Sequence, residues 1–210
     1  MKLLQTSTFF ASNQSYFQKI APFFIFQVWD KGDVIQDQDK CIDDIFWIVD
    51  GSCSISRRIP FIAKTHYGRT SYQAYTPGDP FTPTKTADLD EKITHIQLQT
   101  QENIDAGDWF SYLPMPIKKI QHNEFEKELL FKNRIISPCE YIITADSSKV
   151  STVKLSFEDV IDFASKDVIK SLDADCSIHR FDLKLLQSQF LDQKAYQSFK
   201  RNILNEIGRK

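Results

Sequence analysis

The sequence predicts a mainly β fold flanked by helices. Three observations carry the prediction. Short β-favouring runs crowd residues 29–55, where Val34-Ile35, Ile45-Phe46-Trp47-Ile48-Val49 and Ser52-Cys53-Ser54-Ile55-Ser56 follow one another between turn residues. Two further strand-like runs lie at 139–145 and 150–155. Apolar residues at helical spacing appear before and after this β region, at Tyr16, Phe17 and Ile20 and again beyond Ser156.

The elements follow in chain order. Ser12 or Asn13 offers a cap to a helical turn leading into Tyr16, Phe17 and Ile20, and Pro22 limits it. Phe23-Phe24-Ile25-Phe26 reads as a buried strand or core plug. Lys31-Gly32-Asp33 turns the chain into the first strand of the trio. Asp50-Gly51 predicts a tight hairpin between the next two, whose central residues take positive φ. Cys53 and Ile55 alternate with serines, as a half-buried strand does.

Residues 60–103 read differently. Pro60, Gly68, Pro77-Gly78-Asp79-Pro80 and Pro83 punctuate the stretch, and only Ile93-Thr94-His95-Ile96-Gln97-Leu98 alternates like a strand. Residues 60–92 are therefore expected to form a long inserted loop. Structureless loops beyond about 12–15 residues are either functional or flexible excursions. Phe61, Tyr67, Tyr72, Tyr75 and Phe81 are costly to leave in water, so a partner-binding arm is one reading and a flexible surface excursion the other.

Gly107-Asp108 makes another turn before Trp109-Phe110-Ser111-Tyr112-Leu113. Phe125, Leu129 and Leu130 suggest a helix within 117–133. In the run at 150–155, Val150, Thr152 and Lys154 alternate with Ser151, Val153 and Leu155. Ser156 caps a helix, with Asp159 three residues on and Val160, Ile161, Ala164, Val168 and Leu172 along one face. A last helical region spans about 180–207 and bears two stripes: Leu183, Leu186 and Phe190, then Tyr196, Phe199, Ile203 and Ile207. Lys200-Arg201 and Arg209-Lys210 make its end basic, which suits a solvated helix C-terminus. No internal repeat or sustained heptad pattern is present.

Composition limits what such a chain does. Its 210 residues, 41% of them apolar and 17 of them Phe, suffice for one domain with extensions or a domain with a small companion. A net charge of -2 and a pI near 6.1 give no global attraction to nucleic acid or anionic lipid. No apolar run approaches the roughly 20 residues that cross a bilayer, and the first residues are too polar for a signal peptide. Cys41, Cys53, Cys139 and Cys176 are scattered, as are His66, His95, His122 and His179, so no metal site is expected. Unpaired thiols fit a reduced, intracellular compartment.

The order and spacing of these marks resemble the cyclic nucleotide-binding domain family. Gly32-Asp33-Val34-Ile35 matches its first strand entry, and Asp43-Asp44-Ile45-Phe46-Trp47-Ile48 its acid-plus-aromatic strand. Gly51 matches a turn glycine, Gly107-Asp108-Trp109-Phe110 the later Gly-Asp-x-Phe, and Leu155-Ser156-Phe157-Glu158-Asp159-Val160 the junction to the following helix. The resemblance implies a β jelly roll with an N-terminal helix and C-terminal helices. It divides the chain into a jelly-roll domain over 1–175, with insertions at about 60–103 and 114–137, and a C-terminal helical extension over 176–210.

The ligand cassette of that family is not matched. It calls for a glycine and a ribose-binding glutamate directly after the phenylalanine, and an arginine for the cyclic phosphate just before the next strand. Here Phe110 is followed by Ser111 and Tyr112. Counting back from Ala145 puts Cys139 at the arginine position. A buried phosphate needs a guanidinium fork and N–H donors. Arg134 is the best substitute, ahead of Lys118, Lys119 and Lys132. Asp39 stands where the family has a turn glycine, a position in the left-handed region that aspartate tolerates.

The sequence thus implies a non-catalytic, degenerate member of that fold acting as a structural or interaction subunit. Its expected partners are other proteins of a larger complex, without nucleic acid and without membrane insertion. The expected setting is cytoplasmic, in a cytoskeletal or ciliary assembly. The alternative is a cAMP- or cGMP-sensing regulatory domain with a rearranged cassette; otherwise no cofactor is expected. A cupin-type enzyme needs converging histidines, and no catalytic motif is present, so no catalytic residue is assigned.

Overall fold

The computed structural model describes Ser7, 13–40, 44–110, 139–156, Asp159 and 182–207. Helix α1 (Gln14–Ile20) runs into a 3-10 turn (Ala21–Phe23). Nine strands follow: β1 (Ile25–Asp30), β2 (Val34–Gln36), β3 (Asp44–Asp50), β4 (Ser52–His66), β5 (Arg69–Ala74), β6 (Leu89–Asp105), β7 (Trp109–Phe110), β8 (Ile142–Ala145) and β9 (Lys149–Ser156). Helix α2 (Leu183–Ile207) comes last. The chain divides into two compact units, residues 1–56 with 99–180, and residues 57–98 with 181–210.

In the first unit, antiparallel strands lie in the order β1-β9-β3-β7, while β8 pairs with β2 and with β4 over residues 53–56. Two antiparallel sheets closing on one core make a jelly roll. Ile45, Phe46, Trp47, Ile48 and Val49 are all buried, because β3 is covered on both faces. Trp47 lies level with Val153 and Trp109 on its neighbours and receives Phe24, ring centroids 5.9 Å apart. Phe24 in turn touches Phe17 of α1 at 5.8 Å. The register of β3 on β9 shifts between Ile48 and Asp50, with Val49 as the extra residue.

Two turns of the same kind frame this unit. In Asp30-Lys31-Gly32-Asp33 and in Asp105-Ala106-Gly107-Asp108 the last amide bonds back to the first carbonyl, and the last carboxylate accepts from the first amide at 2.9 and 3.0 Å. Gly32 and Gly107, at φ 92 and 100, supply the positive φ that a type II turn needs at its third residue. Each turn is clamped by two backbone bonds to one strand residue, Ala145 for the first and Ile48 for the second.

The structure corrects three expectations. Asp50-Gly51 closes no hairpin: β3 and β4 belong to different sheets, and Gly51 (φ 87) marks the corner between them. A Cβ there would stand 2.6 Å from the Lys149 carbonyl oxygen, so the glycine serves close backbone approach. The run at residues 23–26 is only in part the buried strand or core plug expected: Phe24 packs on Trp47, and Ile25 and Phe26 open β1 without being buried. Ile25 and Phe26 are 54% and 60% exposed, because β1 ends its sheet and pairs only with β9 among the described residues. Residues 60–92 are not one loop, since β4 continues to His66 and pairs with β5 from Phe61↔Ala74 to His66↔Arg69.

That second unit has its own core. Ile59 and Phe61 of β4 and Leu186 and Phe190 of α2 are buried together, with Tyr72, Ile96, Leu98, Leu183 and Leu191 packed against them. The first helical stripe read from the sequence is thus buried on this sheet. The expected left-handed Asp39 is present at φ 67. Ser156 does cap: its Oγ accepts from Asp159 N at 3.1 Å and donates to the Asp159 carboxylate. Asn13 begins α1 through its carbonyl, which accepts from Phe17 N at 3.0 Å. The expected helices at 117–133 and after Asp159 lie outside the described residues.

Candidate functional site

The site implied by the resemblance lies between the Gly-Asp-x-Phe turn and the strand holding Ala145. β7 brings Phe110 beside Phe46 of β3, where the rings stack at 5.1 Å with 9° between planes. Trp109 meets Trp47 at 6.3 Å. Both residues of β7 are buried, so this end of the site is floored by aromatic side chains within the core. Ser111, Tyr112 and Arg134 lie outside the described residues, as do Lys118, Lys119 and Lys132.

Cys139 is 1% exposed. Its amide donates to Lys40 O at 2.9 Å, and its carbonyl accepts from Asp39 N at 2.9 Å. Left-handed Asp39 lets the chain turn into this reciprocal pair. The thiol donates to Tyr141 O at 3.2 Å. Burial pushes the thiol up to about 12, and the Glu140 and Asp39 carboxylates add to that rise. Cys53, level with Ala145 on the neighbouring strand, is also driven to about 12, first by burial and then by Asp105 and Asp146.

A neutral buried thiol is a weak donor and carries no charge for a phosphate. Lys40, bonded to Cys139 only through its backbone, directs its ammonium outward to Asp37 at 3.3 Å. Among the described residues, no group of three or more His, Cys, Asp or Glu is placed to hold a metal ion. Among them too, no helix is long and apolar enough to cross a membrane.

The five aromatic residues singled out at 60–92 have separate fates. Phe61 is fully buried, with Phe190 at 4.8 Å and Tyr72 at 6.4 Å between ring centroids. The chain's own helix therefore covers these two. Tyr75 meets Phe81 at 6.2 Å and donates its hydroxyl to Asp79 O at 3.2 Å, a contact local to one loop. Tyr67 alone of the five is fully presented: it is 73% exposed at the tip between β4 and β5, with φ 46. Sequence reasoning missed Gln187, whose buried amide donates to Pro60 O at 3.1 Å and Tyr75 O at 2.8 Å. Its position one residue after Leu186 in the apolar stripe was the available signal.

The strand order of the first unit, behind its short N-terminal helix, is that of a jelly roll of two antiparallel sheets. No family model matches the chain, and no curated protein matches it. Solved structures do resemble it. The regulatory domain of Toxoplasma gondii PKA with cAMP is 15% identical, with a TM-score of 0.48, over 85% of this chain and 48% of that one. The regulatory subunit of a cAMP-independent protein kinase A from Trypanosoma brucei is 15% identical, with a TM-score of 0.49, over 90% and 49%. The N-terminal domain of a Streptomyces coelicolor transcriptional regulator is 11% identical, with a TM-score of 0.40, over 83% and 86%. The chain thus spans about half the length of the two kinase regulatory structures. Such distant likeness concerns the fold alone, and the jelly-roll assignment rests on the strand order of this chain.

Proposed function

We propose that this chain is a non-catalytic, degenerate cyclic nucleotide-binding fold that works as a structural or interaction subunit of a larger protein assembly. Cys139 carries the reading. At the position that the resemblance gives to the phosphate-binding arginine stands a buried neutral thiol, satisfied by Tyr141 O. Transferring a phosphate monoanion into such surroundings costs several kcal/mol without a guanidinium or equivalent donors. The aromatic floor of Phe46 and Phe110 is consistent with a filled roll.

The organisation proposed with it is a jelly roll over 1–175, interrupted at about 60–103 and 114–137, with a helical extension over 176–210. The compact unit of 57–98 with 181–210 supports the first interruption. Tyr67 is the partner-facing residue of the aromatic set, because a bulky side chain at positive φ is a strained choice for a turn that asparagine or glycine would fill better. The proposed setting is a cytoplasmic assembly of cytoskeletal or ciliary kind, with partners that are proteins rather than nucleic acid.

A thermal melt of the full chain with cAMP or cGMP tests the reading. A ligand at 100 times its Kd stabilises a folded site by about 2.7 kcal/mol, so a bound nucleotide raises the melting temperature by several degrees. The expected result is no shift at millimolar nucleotide. A shift that Arg134→Ala removes overturns the proposal in favour of a sensor with a rearranged cassette.

A further inference from the structure

Strand β1 leaves one edge of its sheet open. Along an antiparallel strand the hydrogen-bonding groups of successive residues point to alternate sides. Ile48 of β3 turns its N–H and carbonyl to the turn at 105–108, where they meet Asp108 O and Gly107 N at 2.9 Å. Trp47 therefore turns to β9, and Val153, level with Trp47, turns back to β3. Thr152 and Lys154 are left to bond Gln27 and Ile25 of β1. The N–H and carbonyl of Phe26 and of Val28 consequently point away from the sheet. At one end Phe24 N returns to Ala21 O, and at the other Asp33 bonds both backbone groups of Asp30. Those contacts agree with the alternation and bound the open stretch. Among the described residues no strand lies beyond it, and the Phe26 and Val28 side chains are more than half exposed.

Exposed edges ordinarily carry devices against pairing: charges, proline or a bulge. β5, at the end of the other sheet, carries Arg69, Thr70, Ser71 and Gln73. β1 has no such device. Residues 23–29 hold no charge and no proline, and β1 keeps register with β9 without a shift. The length of the opening says what fits it. It takes a strand that presents two outward residues with one between them, and β1 is itself such a strand. An antiparallel second copy, about a two-fold axis through Gln27, sets Phe26 level with the partner's Val28 and Val28 level with the partner's Phe26. Each pair exchanges both of its bonds, and no outward group is left over. Moving the axis by one residue sets Val28 against Phe24 or Phe26 against Asp30, whose amides are already engaged within their own chain. The axis at Gln27 also brings Ile25 level with the partner's Trp29, an apolar cross-strand pair. Gln27 itself meets its own copy. Its Oε1 is buried and has no donor among the described residues, and the amide of the partner's Gln27 can supply one. A foreign peptide would have to be ordered on binding, whereas β1 is already held extended.

We propose that β1 is a homotypic docking edge, through which two copies of this chain join their β1 strands antiparallel across a two-fold axis at Gln27. This goes beyond the interaction-subunit reading, since it concerns a second copy of the chain and not another protein.

Sedimentation velocity of the full chain from about 1 to about 300 µM is the test, with Val28→Pro and Phe26→Lys as variants. Val28→Pro removes an amide that points away from β9, so the β1–β9 ladder keeps its bonds. Phe26→Lys leaves the backbone intact and carries the test alone if the proline disturbs folding. The expected result is a reversible monomer–dimer equilibrium with a Kd between about 1 and 100 µM, which both variants weaken at least about tenfold. In a Cys41→Ser/Cys176→Ser background, Gln27→Cys is expected to form an intermolecular disulfide on mild oxidation. Residues opposed without mutual backbone bonds stand about 4.5 Å apart at Cα, within disulfide reach. A wild type that stays monomeric at about 300 µM overturns the proposal and leaves the edge to an extended segment of another protein. A dimer that Phe26→Lys leaves intact, or growth past the dimer, overturns it in favour of another surface. A dimer in which Gln27→Cys stays reduced overturns the axis at Gln27, and with it the proposed pairing.

Discussion

Gln187 donates its side-chain amide to the Pro60 carbonyl at 3.1 Å. Proline lacks an N–H of its own, so its residue contributes only an acceptor to the strand, and the helix supplies the donor. The same amide nitrogen reaches Tyr75 O at 2.8 Å. One buried glutamine thus fastens α2 to the start and the end of the β4–β5 hairpin.

Gln187→Ala leaves two carbonyls short of a donor inside a closed contact, and the expected loss is about 1–3 kcal/mol. Phe190→Ala removes the ring packed on Phe61, with an expected loss of about 3 kcal/mol. Hydrogen exchange at the amides of Phe61 and Ala63 reports both, because these lie in the same unit. Wild-type protection in either variant contradicts the docking of α2 on β4.

Tyr67 and Gly68 occupy the two-residue turn between β4 and β5, at φ 46 and 74. Both values suit a type I′ turn, which favours asparagine at its first central position. Tyr67→Asn is expected to stabilise this unit by about 1 kcal/mol in a denaturant series, while weakening any partner contact that Tyr67 makes. A destabilised variant contradicts the strain assigned to this tip.

Gly51→Ala places a Cβ against the Lys149 carbonyl and forces φ 87 on alanine. Gly32→Ala imposes a similar φ with nothing within 4 Å of the new atom. The first substitution is expected to cost about 2 kcal/mol or more, and the second about 1 kcal/mol. Equal melting temperatures for the two variants contradict the close approach at the corner.

Cys53 and Cys139 are closed off and held protonated, both at about 12 against an ordinary 9.0. In a Cys41→Ser/Cys176→Ser background, a thiol reagent at pH 8 is expected to label neither residue until the protein unfolds. The linkage has a definite sign. The folded pKa lies above the unfolded one, so the stabilisation is complete below pH 9 and is lost as pH rises toward 12. The melting temperature therefore falls over that window, and falls less after Cys53→Ala/Cys139→Ala. Rapid native labelling of Cys139 contradicts a filled site.

Much of the fold was readable because period-two alternation and helical stripes are local. Cys53 and Ile55, or Leu183, Leu186 and Phe190, announce their buried faces without knowledge of a partner. What failed depended on partners. Phe26 is as apolar as a core residue, but among the described residues β1 has a neighbour on one side only, which no local pattern reveals. Gly51 signals positive φ, and a sheet-to-sheet corner asks for that as readily as a hairpin does. Ile59, Phe61 and Ala63 alternate as a buried strand should, yet Pro60 among them argued against one. Pro60 is tolerated there because Gln187 satisfies its carbonyl from a helix more than 120 residues away. At the candidate site, counting from Ala145 located Cys139, whereas its burial and its pairing with Asp39 and Lys40 arise from chain closure.

Equilibrium binding of cAMP and cGMP to the full chain, followed by calorimetry, tests the central claim most directly: Cys139 and its surroundings hold no cyclic phosphate. The expected result is no saturable heat up to about 1 mM of either nucleotide. Saturable binding in the low micromolar range, abolished by Arg134→Ala, would contradict it.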